Sequence, residues 1–510
     1  MSMHRIGLLA LALAMLAAAP ISQVLAAERI LVAQSAPNDD EDWRRQRRPK
    51  QPGQDRPDRP RRPDFGPVIQ FIPTMAYPAG EREVAPPPGY ERPETRRARP
   101  QAASKAKTSK PKAAQQRVAK PKTIKAKTPG PKRTPPIPQA VAGTYVEGEV
   151  LFAAPSPEIT DTILKRYRLT RLETAELALT GTTVVRARVA KGGNSVATLR
   201  ALRAEKSLVS SELNHLYALQ TDETKAAAGD LAAVQYAPAK MRLDEAHALA
   251  DGSAVLVAVI DSGVDGSHPE LAGTLDPASR TTTVGPHGTA IAGVIAAHQR
   301  LTSVSPKVRI LAFDSFLGPE GSAARGSTLD ILKSLDKAAG AGARIVNLSF
   351  AGPSDVLLAA GLAAAREKGM VLIAAAGNGG PKAAPVYPAA HPAVIAVTAT
   401  DPADAIYKSA NRGAYVALSA PGVDILTAAP GATYAQFSGT SFAAAQVTGV
   451  AALLLQRAPQ LSPDAVRSIL TRSARDLGKP GRDDIFGAGL VDAAAALLAV
   501  SEATASAALQ

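Results

Sequence analysis

Short, unbroken apolar runs recur through the second half of this chain, separated by stretches of helical character. Residues 255–260 read VLVAVI, apolar at every position, the pattern of a parallel strand covered on both faces. Similar runs lie at 308–313, 344–348, 370–376 and 394–397. Between them, the spacing predicts a helix over 354–369, opened by Ser354 and closed by Gly369, and Ser462-Pro463-Asp464 opens another. Strands alternating with helices predict a parallel α/β sheet, whose carboxyl strand ends are where sites gather.

Upstream the pattern differs. Residues 149–152 read as a short strand, and Ser156-Pro157-Glu158 supplies an N-cap, a proline at N1 and a first-turn acid for a helix to about Arg168. Residues 182–189 alternate as a half-buried strand does. Asn194 and Ser195 then cap a second helix with Val196, Leu199 and Leu202 on one face, and 208–217 can supply a last strand. That order predicts a small ferredoxin-like α+β unit at 141–222.

Charge divides the chain again. Segment 27–140 holds 26 Lys and Arg against 12 Asp and Glu, and 21 of the 41 prolines, so the formal net charge of +14 resides there. Such a segment buries too little apolar surface to offset the entropy of ordering, and is expected to be disordered. It reads either as a solvated tether or as an adhesion element whose 95–135 basic tract meets an anionic envelope polymer. With so few aromatics near the basic runs, specific nucleic-acid binding is not expected. Ahead of it, Arg5, an apolar run at 7–19 and Val24-Leu25-Ala26 predict a signal peptide over 1–26 and export to the periplasm or beyond. An uncleaved anchor is the alternative. There is no cysteine, which excludes disulfides, thiolate metal sites and a Cys nucleophile.

Four polar residues stand at element ends within the α/β region. Asp261 directly follows the 255–260 strand; a carboxylate there can orient an imidazole, although Asp-Ser-Gly is also ordinary turn chemistry. His287, in Pro286-His287-Gly288-Thr289, sits at a helix start with a side chain suited to taking and returning a proton. Ser441, in Ser438-Gly439-Thr440-Ser441, begins a long helix of small residues whose first amides can face negative charge. Asn378 follows Ala374-Ala375-Ala376-Gly377, where its amide can reach an oxyanion or merely serve an Asn-Gly turn. Singly each has a structural explanation. Together, in the order Asp, His, Asn, Ser, they point to acyl transfer through a serine nucleophile.

Through these residues the region 235–499 resembles the subtilisin-like serine proteases, the subtilase (S8) family. The stretches that carry the likeness include VAVIDSGVDGSHPEL, HGTAIAGVIAA, AAAGNGG, SAPGVDILTA and FSGTSFAAAQVTGVAALL. The resemblance implies a subtilisin-like parallel sheet flanked by helices and a serine endopeptidase with Asp261, His287 and Ser441 as its triad and Asn378 as oxyanion donor. It implies that Ser349, Phe350 and Ala351 pair with substrate, and that Ala375, Ala376 and Gly377 wall the primary specificity pocket. The 141–222 unit resembles the family's inhibitory prodomain, followed by a linker over 223–234 and cleaved near 217–224 or within 226–233; a permanent peptide-binding appendage is the other reading. The catalytic domain is expected over 235–500 and a tail over 501–510.

Departures from the family pattern matter as well. Ala290 stands where a second His is usual, Phe442 where Met is common, Phe350 and Ala351 in place of Leu-Gly, and Val386 at a pocket floor that is often Gly. The last predicts a shallow pocket. The loop after Ala297 is short, and no carboxylate lies in 298–305. The family's tight calcium loop is therefore not expected, and no metal or other cofactor is assigned. His268, His298 and His391 match no catalytic position. A catalytically silent binder on the same scaffold is a rival that the presence of all four polar residues argues against.

Overall fold

A computed structural model describes residues 143–220, 231, 234–318 and 324–500, with the backbone alone at 222–225 and 501–508. The expected signal peptide, the whole of the basic segment with its 95–135 tract, and most of the expected linker lie outside the described residues.

The small unit begins with β1 (Glu149–Ala154), α1 (Pro157–Arg166), β2 (Thr170–Leu177), β3 (Thr182–Arg188), α2 (Ser195–Arg203) and β4 (Ser210–Glu212). Its four strands form an antiparallel sheet in the order β2-β3-β1-β4, the ferredoxin-like arrangement. Ser156 and Asn194 cap the two helices, each side chain accepting the backbone N–H three residues on. Strand alternation sorts the faces: Val150, Phe152, Val185 and Ala187 pack under the helices. Leu151, Ala153, Val184 and Leu177 turn to the other side, where they join the core of the larger domain.

The expected last strand over 208–217 divides in two. It pairs with β1 only through β4, then the chain leaves the small sheet as β5 (Leu216–Leu219). A further strand, β6 (Asp222–Lys225), crosses from the end of the expected 141–222 unit into the expected linker. Two short helices follow, α3 (Ala237–Lys240) and α4 (Leu243–His247).

The larger domain then runs through β7 (Leu256–Asp261), α5 (Pro286–Ala296), β8 (Arg309–Asp314), β9 (Arg325–Ser327), α6 (Thr328–Gly340), β10 (Ile345–Leu348), β11 (Phe350–Ala351), α7 (Val356–Glu367), β12 (Val371–Ala375), β13 (Val394–Thr400), β14 (Val416–Pro421), β15 (Ile425–Ala429), β16 (Thr433–Ser438), α8 (Thr440–Arg457), α9 (Pro463–Arg472) and α10 (Ala493–Ala508). Six of these strands form a wholly parallel sheet, β14-β13-β12-β10-β7-β8. One face packs on α5 and α8, whose side chains share a core with Val257, Val259, Ile373 and Val397. The other face packs on α6 and α7 through Ala258, Ile260, Leu372 and Ala374. Burial on both faces explains why the strand sequences lack alternation.

Two boundaries differ from the sequence reading. The cap of α7 is Asp355, not Ser354: its carboxylate accepts the N–H groups of Leu357 and Leu358. Asp and Ser cap about equally well, so spacing could not choose between neighbours. The last helix runs across the expected domain end at 500, as far as Ala508.

Asp355 also belongs to a buried polar cluster where β4 meets α7. Glu212 Oε2 accepts a long bond from the Val356 N–H, 3.4 Å, and a short one from Arg203, 2.8 Å. His215 Nε2 lies 3.5 Å from Glu212 Oε1, in ion-pair range. Burial, and then the nearby Glu212 charge, push the Asp355 carboxyl up to about 6. The folded chain thus holds this proton more tightly than the unfolded chain, and the stabilisation, complete below about pH 4, is lost as pH rises through 6. In a Ser441→Ala background, Asp355→Asn should therefore gain on its parent by roughly 2–4 °C in Tm between pH 4 and 7. Parallel melting profiles across that range would contradict the assignment.

Candidate active site

The strand end of β7 and the first turn of α5 meet across one hydrogen-bonded pair. Asp261 is fully buried, and His287 Nδ1 lies 2.8 and 2.9 Å from its two carboxylate oxygens. Asp261 Oδ1 also accepts the Ser262 N–H at 2.7 Å, which fixes the carboxylate. Gly288 permits the approach: a Cβ there would fall 2.2 Å from the Gly263 carbonyl oxygen. With Nδ1 directed at Asp261, Nε2 is the ring nitrogen left for chemistry; it is buried and makes no hydrogen bond to a described residue. The His287 ring rests against Phe442, centroids 5.7 Å apart, which itself stacks on Phe437.

Ser441 lies in the first turn of α8, where helix amides converge. Gly439, at φ 159°, precedes it in extended backbone. The Ser441 hydroxyl has two carbonyl oxygens in reach of its one proton, that of Gln220 at 2.8 Å and that of Ser349 at 3.0 Å. Its oxygen is thus held beside a peptide carbonyl of the chain itself. Asn378 follows β12, and its Oδ1 accepts both the N–H and the hydroxyl of Thr440, at 3.1 and 2.8 Å. Those two bonds commit the oxygen end of the amide to Thr440, so its N–H groups are the end left for donation elsewhere. An amide so oriented can donate to negative charge developing on a carbonyl oxygen.

The chain occupying this cleft is β5. It lies between β11 and β9 as the middle strand of an antiparallel three-stranded sheet, with Phe350 opposite Leu219 and Ala351 opposite Ala218. Phe350 and Ala351 thus pair with a strand of the same chain, while Ser349 contributes its carbonyl to Ser441 and its hydroxyl to Asn347. Ala375 and Ala376 are buried, Ala376 accepting a bond from the Tyr415 hydroxyl, and the Gly377 N–H donates to Thr440 Oγ1. Val386 packs beside Gly377, its Cγ2 lying 2.8 Å from where a Cβ on Gly377 would stand. Gln220 does not extend its side chain: Oε1 accepts the Asn378 N–H, and Nε2 donates back to the Ala218 and Leu219 carbonyls.

A scan against family models matches residues 252–489 to the subtilase family of S8 peptidases. Subtilisin BL of Lederbergia lenta is 35% identical over 254 residues, 48% of this chain and 91% of that protein. This chain belongs to the subtilase family. It is a serine endopeptidase. Thermitase of Thermoactinomyces vulgaris is 34% identical over 259 residues, 48% of this chain and 90% of that protein. Among solved structures, fervidolysin of Fervidobacterium pennivorans, described as a keratinolytic enzyme related to subtilisin, matches with a TM-score of 0.62 and 26% identity. That match covers 71% of this chain and 62% of the other.

Calcium is what the family likeness raises for the loop after α5, and the residues of this subtilase do not fit it. Glu270, fully buried, accepts the N–H groups of Gln299 and Arg300 at 2.8 Å each and of Leu301 at 3.4 Å, with the Tyr434 hydroxyl at 3.0 Å. Calcium takes oxygen ligands. Here the carboxylate is ringed by donors, whose positive ends would oppose a cation. His268 joins the same region structurally, its Nε2 2.9 Å from the Thr433 carbonyl oxygen.

Several parts of the site were not foreseen from sequence: Thr440 as the holder of Asn378, β9 as the second edge beside β5, and Glu270 as a loop anchor. Only Thr440 had a signal, its place between Gly439 and Ser441. Thr440→Val should lower kcat on a peptide substrate by about 3–10-fold with KM little changed, since one of the two bonds orienting the amide is lost. Asn378→Ala should lose about 10²–10³-fold. Steady-state kinetics of the two variants reads this, and equal turnover in Thr440→Val and parent would show that the hydroxyl does not orient the amide.

Proposed function

We propose that this subtilase is exported and activates itself by cutting its own chain after Gln220. The observation that carries the reading is the Gln220 carbonyl oxygen, 2.8 Å from Ser441 Oγ at the end of a strand paired on both edges. Main-chain pairing of this kind holds an extended peptide with little regard to its sequence and presents one carbonyl to the nucleophile. The small unit at 143–220 then acts as an intramolecular inhibitor, its final strand filling the cleft.

In the proposed reaction, Ser441 Oγ turns toward His287 Nε2 and attacks the Gln220 carbonyl carbon while the imidazole takes the hydroxyl proton. Asp261 stabilises the imidazolium. The carbonyl oxygen becomes an oxyanion that accepts from the Ser441 N–H and the Asn378 amide. Collapse breaks the C–N bond to Thr221, whose nitrogen takes the proton from His287. Water then hydrolyses the acyl-enzyme by the same steps in reverse. Protein substrates enter the same channel, with Phe350 and Ala351 on one edge and Ala375, Ala376 and Gly377 walling the first side-chain pocket.

Export rests on the 1–26 sequence pattern; among the described residues no helix is long and apolar enough to cross a membrane. The 95–135 basic tract suits an anionic envelope polymer by charge alone. Specific nucleic-acid binding is not part of the reading.

Expression of 27–510 as wild type and as Ser441→Ala tests the main claim. The wild type should yield a product beginning at Thr221 by mass spectrometry and hydrolyse casein, and the variant should stay full length and inactive. Two intact, inactive proteins would overturn it. The loop after α5 is proposed to need no calcium, because Glu270 supplies the negative charge from within. Excess EDTA should then shift Tm of Ser441→Ala by less than about 2 °C. Glu270→Gln, which loses charge-assisted bonds, should lower it by more than about 4 °C.

A further inference from the structure

Asn378-Gly379 is the only Asn-Gly pair in the sequence, and its asparagine is the oxyanion donor of the proposed reaction. Asparagine is among the thermolabile residues. A following glycine makes it more so, because no Cβ shields the backbone nitrogen beside its amide. Asn378 is half-buried and Gly379 is exposed, so solvent has access to the pair.

Two sets of hydrogen bonds act on this pair in opposite directions. On the side chain, Asn378 Oδ1 accepts the N–H and the hydroxyl of Thr440, at 3.1 and 2.8 Å. Donors on that oxygen draw electron density from Cγ, and they stabilise the negative charge that a nucleophile creates there. On the backbone, the Gly379 N–H donates to Asn411 Oδ1 at 2.8 Å. A hydrogen bond to the protonated nitrogen opposes loss of that proton, and so keeps the nitrogen unreactive. Asn411 is itself firmly held. It is 0% exposed, its own N–H donates to the Gly377 carbonyl at 2.9 Å, and its Nδ2 donates to the Ala384 carbonyl at 3.3 Å. The Gly380 N–H donates to the Ser409 carbonyl at 2.8 Å, which pins the turn on its far side as well.

We infer that Asn378 is a deamidation site, activated by Thr440 and guarded by Asn411. In the reaction the Gly379 nitrogen passes its proton to hydroxide and attacks Asn378 Cγ. The new C–N bond closes a succinimide as the bond to Nδ2 breaks, and ammonia leaves with a proton from water. Water then opens the ring to aspartate or isoaspartate, so amide plus water has become carboxylate plus ammonium. The product puts an acceptor-only anion where a donor stood, and the oxyanion loses its side-chain partner. That loss of activity rests on the reading of Asn378 as oxyanion donor; the ring closure does not. Asn411 thus sets the working lifetime of the enzyme without touching substrate.

The test incubates full-length Ser441→Ala, which cannot digest itself, at mildly alkaline pH. The peptide that spans 378–379 is followed by mass spectrometry for conversion of amide to acid and for isoaspartate. Adding Asn411→Ala should raise the rate of conversion by about 3–10-fold, the effect of one neutral hydrogen bond. Adding Asn411→Asp instead keeps an oxygen for the Gly379 N–H but gives up the bond to Ala384. Its rate should stay at or below that of the parent, which a merely structural role for Asn411 would not produce. Equal rates in the parent and Asn411→Ala, or a fast rate in Asn411→Asp, would overturn the guard. In self-processed wild type, casein hydrolysis per intact chain should fall in step with the conversion. Conversion without loss of activity would overturn the donor reading and the lifetime claim together, and leave the guarded site standing.

Discussion

Everything at the site depends on one helix being buried along nearly its whole length. In α8 every residue from Thr440 to Leu455 is buried, and the helix shares a core with the strands of the parallel sheet and with α5. A helix surrounded on all sides must be apolar all round, and close approach requires small side chains. That accounts for the run of Ala443, Ala444 and Ala445, and for Gly449, where a Cβ would fall 2.4 Å from Val304 Cβ. Because the helix cannot shift, Ser441 in its first turn has a fixed position relative to His287 at the start of α5, and relative to Asp261 at the end of β7.

The second constraint is the cleft beside that turn. A single strand edge would hold a peptide loosely, but β11 and β9 grip β5 from both sides. The small unit reinforces this through a second contact, the sheet face that packs against α6 and α7. Glu212 reaches the start of α7 from there, so a charge of the small unit assists the helix N-terminus of the larger domain. Parting the small unit from the larger domain would thus mean separating an apolar face and a buried acid cluster together, not a strand alone.

Legibility varied with the range of the interaction involved. The β7 run and its terminal Asp261, the α5 start with His287, and the α8 start with Ser441 were readable because each is a local pattern that ends in a residue of distinctive chemistry. The caps at Ser156, Asn194 and Ser462 were local as well. The cap of α7 was placed one residue early, since Ser354 and Asp355 are equally able caps. The last strand of the small unit was read as one piece, yet β5 departs for another sheet. Nothing in Leu216–Leu219 itself announces that its partners lie more than a hundred residues away.

The sequence by itself therefore determined the parallel sheet, the ferredoxin-like order of the small unit and the four polar residues at element ends, because backbone periodicity and capping are short-range effects. Tertiary structure alone decided what those residues face. The Gln220 carbonyl against Ser441, Thr440 turning the Asn378 amide, Glu270 closing a loop with N–H groups, and Asn411 holding the Gly379 N–H all join segments far apart in the chain. Such contacts depend on ångström-scale positions set by the packing of the whole core, and no local pattern of residues encodes them.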